Sequence, residues 1–171
     1  MRARSLSVAA AAAALVLVQP GLAVAADDPS TTVTYTVTSG ALTLSVPASD
    51  DLGSGAPGTA ISGAIGPVTV TDDRALASAS WSVTAAETDF TNGASTIPAT
   101  SAGYDPGTIT TTGTITATTT SVTLSSSAQV VVTGSDGVAA NTATWNPTVT
   151  VHVPASAVGG TYTGTLTQSV A

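Results

Sequence analysis

The residues able to do chemistry are few and scattered. His152 is the single histidine, and the 171 residues contain no cysteine. A general base needs a nucleophile and an orienting group within reach, and no serine here lies in a nucleophile-elbow pattern at a strand-to-helix turn. His152 also falls out of phase with Val149, Val151 and Val153, which puts it on the solvent side of a strand. The acids gather partly in pairs, Asp27-Asp28, Asp50-Asp51 and Asp72-Asp73, with Glu87, Asp89, Asp105 and Asp136 alone. Paired carboxylates run glycoside hydrolysis only beside a sugar cleft, and 2 Trp, 3 Tyr and 1 Phe leave little to line one. Asp50 and Asp51, followed by a glycine-rich loop, are the calcium candidates, because calcium takes hard oxygen ligands from loops. EF-hand spacing is missing, and the competing reading is ordinary turn acids. The expectation is a non-enzymatic chain without a cofactor.

Arg74 is more informative. Arg2 and Arg4 are the only other Lys or Arg residues, so Arg74 is expected to pair with a carboxylate at the end of the run Val68-Thr69-Val70-Thr71. Trp81 and Trp145 fall in phase with Val83 and with Val149, and that phase favours burial in a small core over a sugar platform.

The elements that must position these residues read as strands. Val33, Tyr35 and Val37 alternate with threonines, as do Leu42, Leu44 and Val46 with Thr43 and Ser45. Ala79-Trp81-Val83, Val149-Val151-Val153 and Tyr162-Gly164-Leu166 repeat the pattern. A period of two sends these side chains to one face of a pleated strand, and β-branched threonine suits the other. Ser39-Gly40, Gly53-Ser54-Gly55, Asn92-Gly93, Pro106-Gly107, Ser135-Asp136-Gly137 and Gly159-Gly160 punctuate the chain. Short strands so spaced predict an all-β, antiparallel, Ig-like β-sandwich. The stretch from Thr108 to Ser127 is rich in Thr and Ser, yet Ile109, Ile115, Val122 and Leu124 alternate through it, which favours strands over a mucin-like stalk.

The first 26 residues read as a signal peptide. Arg2 and Arg4 precede an apolar run from Leu6 to Val18, Pro20 and Gly21 break it, and Ala23-Val24-Ala25 supplies small residues for cleavage. The run is shorter than the roughly 20 residues that cross a bilayer. Residues 27–171 are then a single domain, secreted and without an integral membrane segment. That domain carries Arg74 against ten acids. Such a balance excludes nucleic acid, whose phosphates call for clustered Lys and Arg. Without cysteine the core must carry stability alone. The closing Gln168-Ser169-Val170-Ala171 has no apolar tail with a basic end, so retention on a cell is expected to be non-covalent.

Several of these stretches resemble the WxL domain of Gram-positive cell-surface proteins. They are Ile65 to Arg74, Trp81-Ser82-Val83 in the place of the first Trp-x-Leu, Ile97-Pro98-Ala99, Trp145-Asn146-Pro147, and Gly160 to Thr167. The resemblance covers roughly Thr31 to Val170. It implies a β-sandwich that binds peptidoglycan, with Trp81 and Val83 as contact residues and Trp145 and Tyr162 behind them. Gln168-Ser169-Val170 stands where a second Trp-x-Leu belongs, which puts the attachment itself in question. The expected function is a secreted cell-surface module that binds the cell wall or another surface protein. The alternatives are a structural subunit that pairs strands through Thr32 to Thr38, and a carbohydrate-binding domain.

Overall fold

The computed structural model describes residues 30–171, so the predicted signal peptide lies outside the described residues. Residues 37–171 form one unit, and residues 30–36 belong to another. The chain runs through β1 (Leu42–Ser45), β2 (Ala60–Ala64), β3 (Val68–Asp72), β4 (Ala79–Glu87), β5 (Phe90–Asn92), β6 (Ser95–Ile97), β7 (Ala102–Asp105), β8 (Ile109–Thr119), β9 (Val122–Thr123), β10 (Gln129–Trp145), β11 (Thr148–His152) and β12 (Leu166–Val170). A single 3-10 turn, Ala99–Ser101, stands before β7. Among the described residues no helix is long and apolar enough to cross a membrane.

The fold is all-β and antiparallel, as expected. Its larger sheet is organised by β10, whose 17 residues far exceed a usual strand. Residues 129–137 of β10 pair with β4, and residues 141–145 pair with β3. The two partners therefore follow one another along a single side of β10. Strand β8 occupies the other side, β1 flanks β3, and β12 flanks β4. The smaller sheet has the order β2-β11-β7-β9, and β5 and β6 form a separate hairpin. The arrangement is sandwich-like, with the larger sheet curled towards a barrel.

The curl has a local cause. The register of β10 against β4 slips between Val130 and Val132 and again between Gly134 and Gly137. Asp136 and Ala139 take positive φ there, 57° and 54°. Extra residues in one strand bend it and raise its twist. Ser135-Asp136-Gly137, expected as a turn between strands, is thus a bulge inside one strand.

The core fills from inward positions two apart. Val68 and Val70 of β3, Trp81, Val83 and Ala85 of β4, and Ala143 and Trp145 of β10 pack with Tyr104 of β7 and Val149 and Val151 of β11. One hydrogen-bonded chain crosses this core. The Trp145 indole N–H donates to the Tyr104 hydroxyl at 3.0 Å, which donates to Gln168 Oε1 at 2.9 Å. Burial pushes the Tyr104 hydroxyl up to about 12.

Two expected strands differ. Residues 32–38 form no strand, and Val33, Tyr35 and Val37 are 82%, 88% and 73% exposed. Alternation provides a face to bury, but a strand also needs a neighbour to take its ladder bonds. The expected closing strand starts late, at Leu166, and Thr163 makes only an isolated bridge to Thr91.

Candidate binding surfaces

The structure divides the expected contact residues. Trp81, Val83 and Trp145 are 4%, 0% and 2% exposed. Their side chains lie in the core and offer nothing to a wall polymer, which corrects the contact role implied for them. Strand phase explains this, since all three share the inward face with Val70 and Ala85. Trp81 is further enclosed by Gly134, its cross-strand partner, where a Cβ would come within 2.6 Å of the indole Cζ2. Tyr162 alone is half-exposed, its hydroxyl donating to Val158 O at 3.0 Å. His152 ends β11 on an exposed position opposite Ala60.

Arg74 meets its expected partner. Its Nε and Nη2 each donate at 2.8 Å to the two oxygens of Asp72, a fully buried carboxylate, and Nη2 also reaches Ser80 O at 3.0 Å. These bonds hold the Asp72 carboxyl below its ordinary range. They also tie the 73–78 connection to the start of β4. At the calcium candidates, Asp51 Oδ1 accepts from the Gly53 N–H at 2.9 Å, an Asx-type turn within its own loop. No group of three or more acidic, His or Cys side chains placed for a metal occurs among the described residues.

Two features were not singled out from sequence. The first is the outer face of the larger sheet. Ser45, Thr69, Thr144 and Thr110 stand side by side across β1, β3, β10 and β8, and Thr43, Thr71, Thr142 and Thr112 form a second such row. Thr69 and Thr144 share a 3.0 Å hydrogen bond, and Thr112 and Thr142 one of 2.6 Å. Neighbouring strands lie about 4.8 Å apart, so each row spans about 14 Å. The face carries hydroxyls and methyls and no charge in either row. Each threonine was readable as outward-facing, but the rows exist only through long-range register.

The second is a cleft of about 840 Å3 between the sheet edges, walled by the β1–β2 connection and residues 157–165. Its apolar lining includes Ile61, Phe90, Val151, Val153 and Leu166. Glu87, the last residue of β4, also lines it and is 4% exposed. Its Oε1 has no hydrogen-bond partner. Burial pushes this carboxyl up to about 7, and the nearby Thr88 N–H offsets part of the rise. That N–H is itself directed to Thr165 O at 3.1 Å. One sequence signal was present: Glu87 continues the inward phase of Ala79, Trp81, Val83 and Ala85, and a charge in such a row is uncommon.

Comparison with known proteins finds no matching family, no matching curated relative and no matching solved structure.

Proposed function

We propose that this chain is a secreted, non-enzymatic module of the cell exterior that holds the glycan of peptidoglycan on the outer face of its larger sheet. The observation that carries this reading is the pair of in-register hydroxyl rows, Ser45-Thr69-Thr144-Thr110 and Thr43-Thr71-Thr142-Thr112. A hydroxyl both donates and accepts, so a fixed grid of them complements a polyhydroxylated polymer, while the threonine methyls meet the apolar faces of sugar rings. Charge contributes little, because neither row contains an ionisable side chain. The wall contact implied by the WxL resemblance is thereby assigned to a sheet face instead of to the buried Trp81.

Co-sedimentation with purified Gram-positive sacculi tests this. The protein is expected to pellet equally at about 0.1 and 1 M salt, since no ion pair is there to be screened. A Thr43→Glu/Thr112→Glu variant changes only exposed positions and is expected to stay in the supernatant while melting as a folded protein. Wild type left in the supernatant, or a variant that pellets equally, overturns the reading.

A second reading rests on residues 32–38, where Val33, Tyr35 and Val37 alternate in full exposure. That pattern suits strand addition to a partner's sheet edge. Light scattering decides it: assemblies abolished by deletion of residues 30–38 support it, and a monomer of unchanged mass refutes it.

A further inference from the structure

We infer that the cleft between the sheets binds a small apolar amine, an alkyl or aryl group carrying one ammonium, with the Glu87 carboxylate as its counter-ion. This is a different site from the hydroxyl face, and it rests on different observations.

The first observation is a buried carboxyl without a partner. Glu87 sits in the row of core residues and is almost wholly removed from water, yet Oε1 has no partner. Buried carboxylates are ordinarily paired or fully hydrogen-bonded. Among the described residues no Lys or Arg is free to do this. Arg74 is the one Lys or Arg among residues 30–171, and both oxygens of Asp72 engage it. The second observation is the close approach of the chain at the carboxyl. A Cβ on Gly164 would stand 2.5 Å from Glu87 Oε1 and 2.8 Å from the Phe90 ring, so only glycine lets the backbone pack directly against Glu87 and keep water from Oε1. The third is the cleft itself, whose volume of about 840 Å3 falls in the range of about 300–1,000 Å3 typical of small-molecule sites.

These observations select the ligand. Apolar walls call for a hydrocarbon body. The other ionisable side chains lining the cleft are Asp50, Asp51 and Tyr162, so no positive group opposes a cation. An ammonium brings the charge that stabilises an ionised carboxylate and N–H donors for it. An alcohol supplies one hydrogen bond and leaves the charge unpaired, and a carboxylate meets only repulsion.

The test is calorimetry at pH 6 with 2-phenylethylamine, 2-phenylethanol and phenylacetate, repeated in buffers of different ionisation enthalpy. Free Glu87, titrating near pH 7, is about nine-tenths protonated at pH 6 and gives up that proton when an ammonium pairs with it. The expected result is amine binding at least ten-fold tighter than the alcohol, no binding of phenylacetate, and release of about 0.9 proton per amine. Glu87→Gln, shown by its melt to be folded, is expected to lose both the amine preference and the proton release. A second variant, Val153→Trp, narrows the cleft with Glu87 in place. It is expected to lose amine binding while sacculus pelleting, which uses the opposite face of the larger sheet, continues. Equal affinity for amine and alcohol, proton release that persists in Glu87→Gln, or no binding of the amine up to about 10 mM overturns the inference.

Discussion

Glu87→Gln is expected to stabilise the protein, and to do so only above acid pH. In the unfolded chain this carboxyl titrates at its ordinary 4.5, whereas in the fold it titrates near 7. Between those values the folded state keeps a proton that the unfolded state has lost. Stability therefore falls as pH rises from 4.5 to 7, in the direction set by the excess of protons bound in the native state. The separation of the two values, at 1.36 kcal/mol per unit, amounts to about 3 kcal/mol, fully developed above pH 7. Glutamine has the same shape and no proton to lose, so it removes the penalty. Urea unfolding of wild type and variant, at half-unit steps from pH 4 to 8, measures it. The two stabilities should agree within about 0.5 kcal/mol at pH 4 and diverge through the window, with the variant ahead by about 3 kcal/mol at pH 8. In a thermal melt at pH 8 that is roughly 10 °C. The remaining acids act on both proteins alike and cancel in the difference. Curves that stay parallel across the whole range would show that Glu87 is solvated or paired, and would sink the reasoning.

Two further outcomes follow from packing. Arg74→Ala leaves the buried Asp72 carboxylate without its two charged donors and should cost about 2 kcal/mol at pH 7, less than a fully buried pair because Arg74 is 29% exposed. Because Asp72 is held below its ordinary 3.8, the stabilisation from this pair is present above that value and disappears as pH falls through the lowered one. The difference between wild type and variant should therefore shrink by pH 3 in urea titrations, and a constant difference would refute the pairing. Gly134→Ala drives a methyl into the Trp81 indole and should destabilise by about 1–3 kcal/mol with a changed tryptophan emission, whereas unchanged emission and stability would place Trp81 elsewhere.

Period-two patterning was enough to read most of the sandwich from the sequence. Val68-Val70, Trp81-Val83 and Val149-Val151 alternate with polar residues in the chain and line the core in the fold, because burial acts on one residue at a time and leaves its trace locally. Two things did not follow. Ser135-Asp136-Gly137 has the composition of a turn, and whether such residues reverse a chain or bulge it depends on the partner strands. Here β8 continues past it on one side, while on the other β4 begins opposite Gly137 and β3 takes over from Asn141. Residues 32–38 have the pattern of a strand without a pairing strand. The hydroxyl rows show the same limit from the other side, since Thr43 and Thr112 meet only through the register of β3 and β10 between them. Glu87 is legible in the sequence only from its phase with Ala79, Trp81, Val83 and Ala85, because an acid by itself carries no sign of burial.

The two proposed sites place opposite demands on the fold, and the distribution of charge reconciles them. A hydroxyl grid works in water, where its groups are satisfied before any polymer arrives, so it costs the fold almost nothing. Glu87 is different, for its burial weakens the native state by about 3 kcal/mol at neutral pH on the linkage above. A core position would be filled more stably by leucine, and a residue that departs from that preference is where function is to be sought. Arg74 shows that the chain can neutralise a buried carboxylate when stability alone is at stake, as it does at Asp72 with two 2.8 Å bonds. Leaving Glu87 without such a partner leaves that cost in place unless a cation binds beside it. An amine bound there at 100 times its dissociation constant would return about 2.7 kcal/mol, nearly the whole of what the buried acid removes. Stability of the wild type at pH 8 should then rise with amine to approach that of Glu87→Gln, and the variant should not respond.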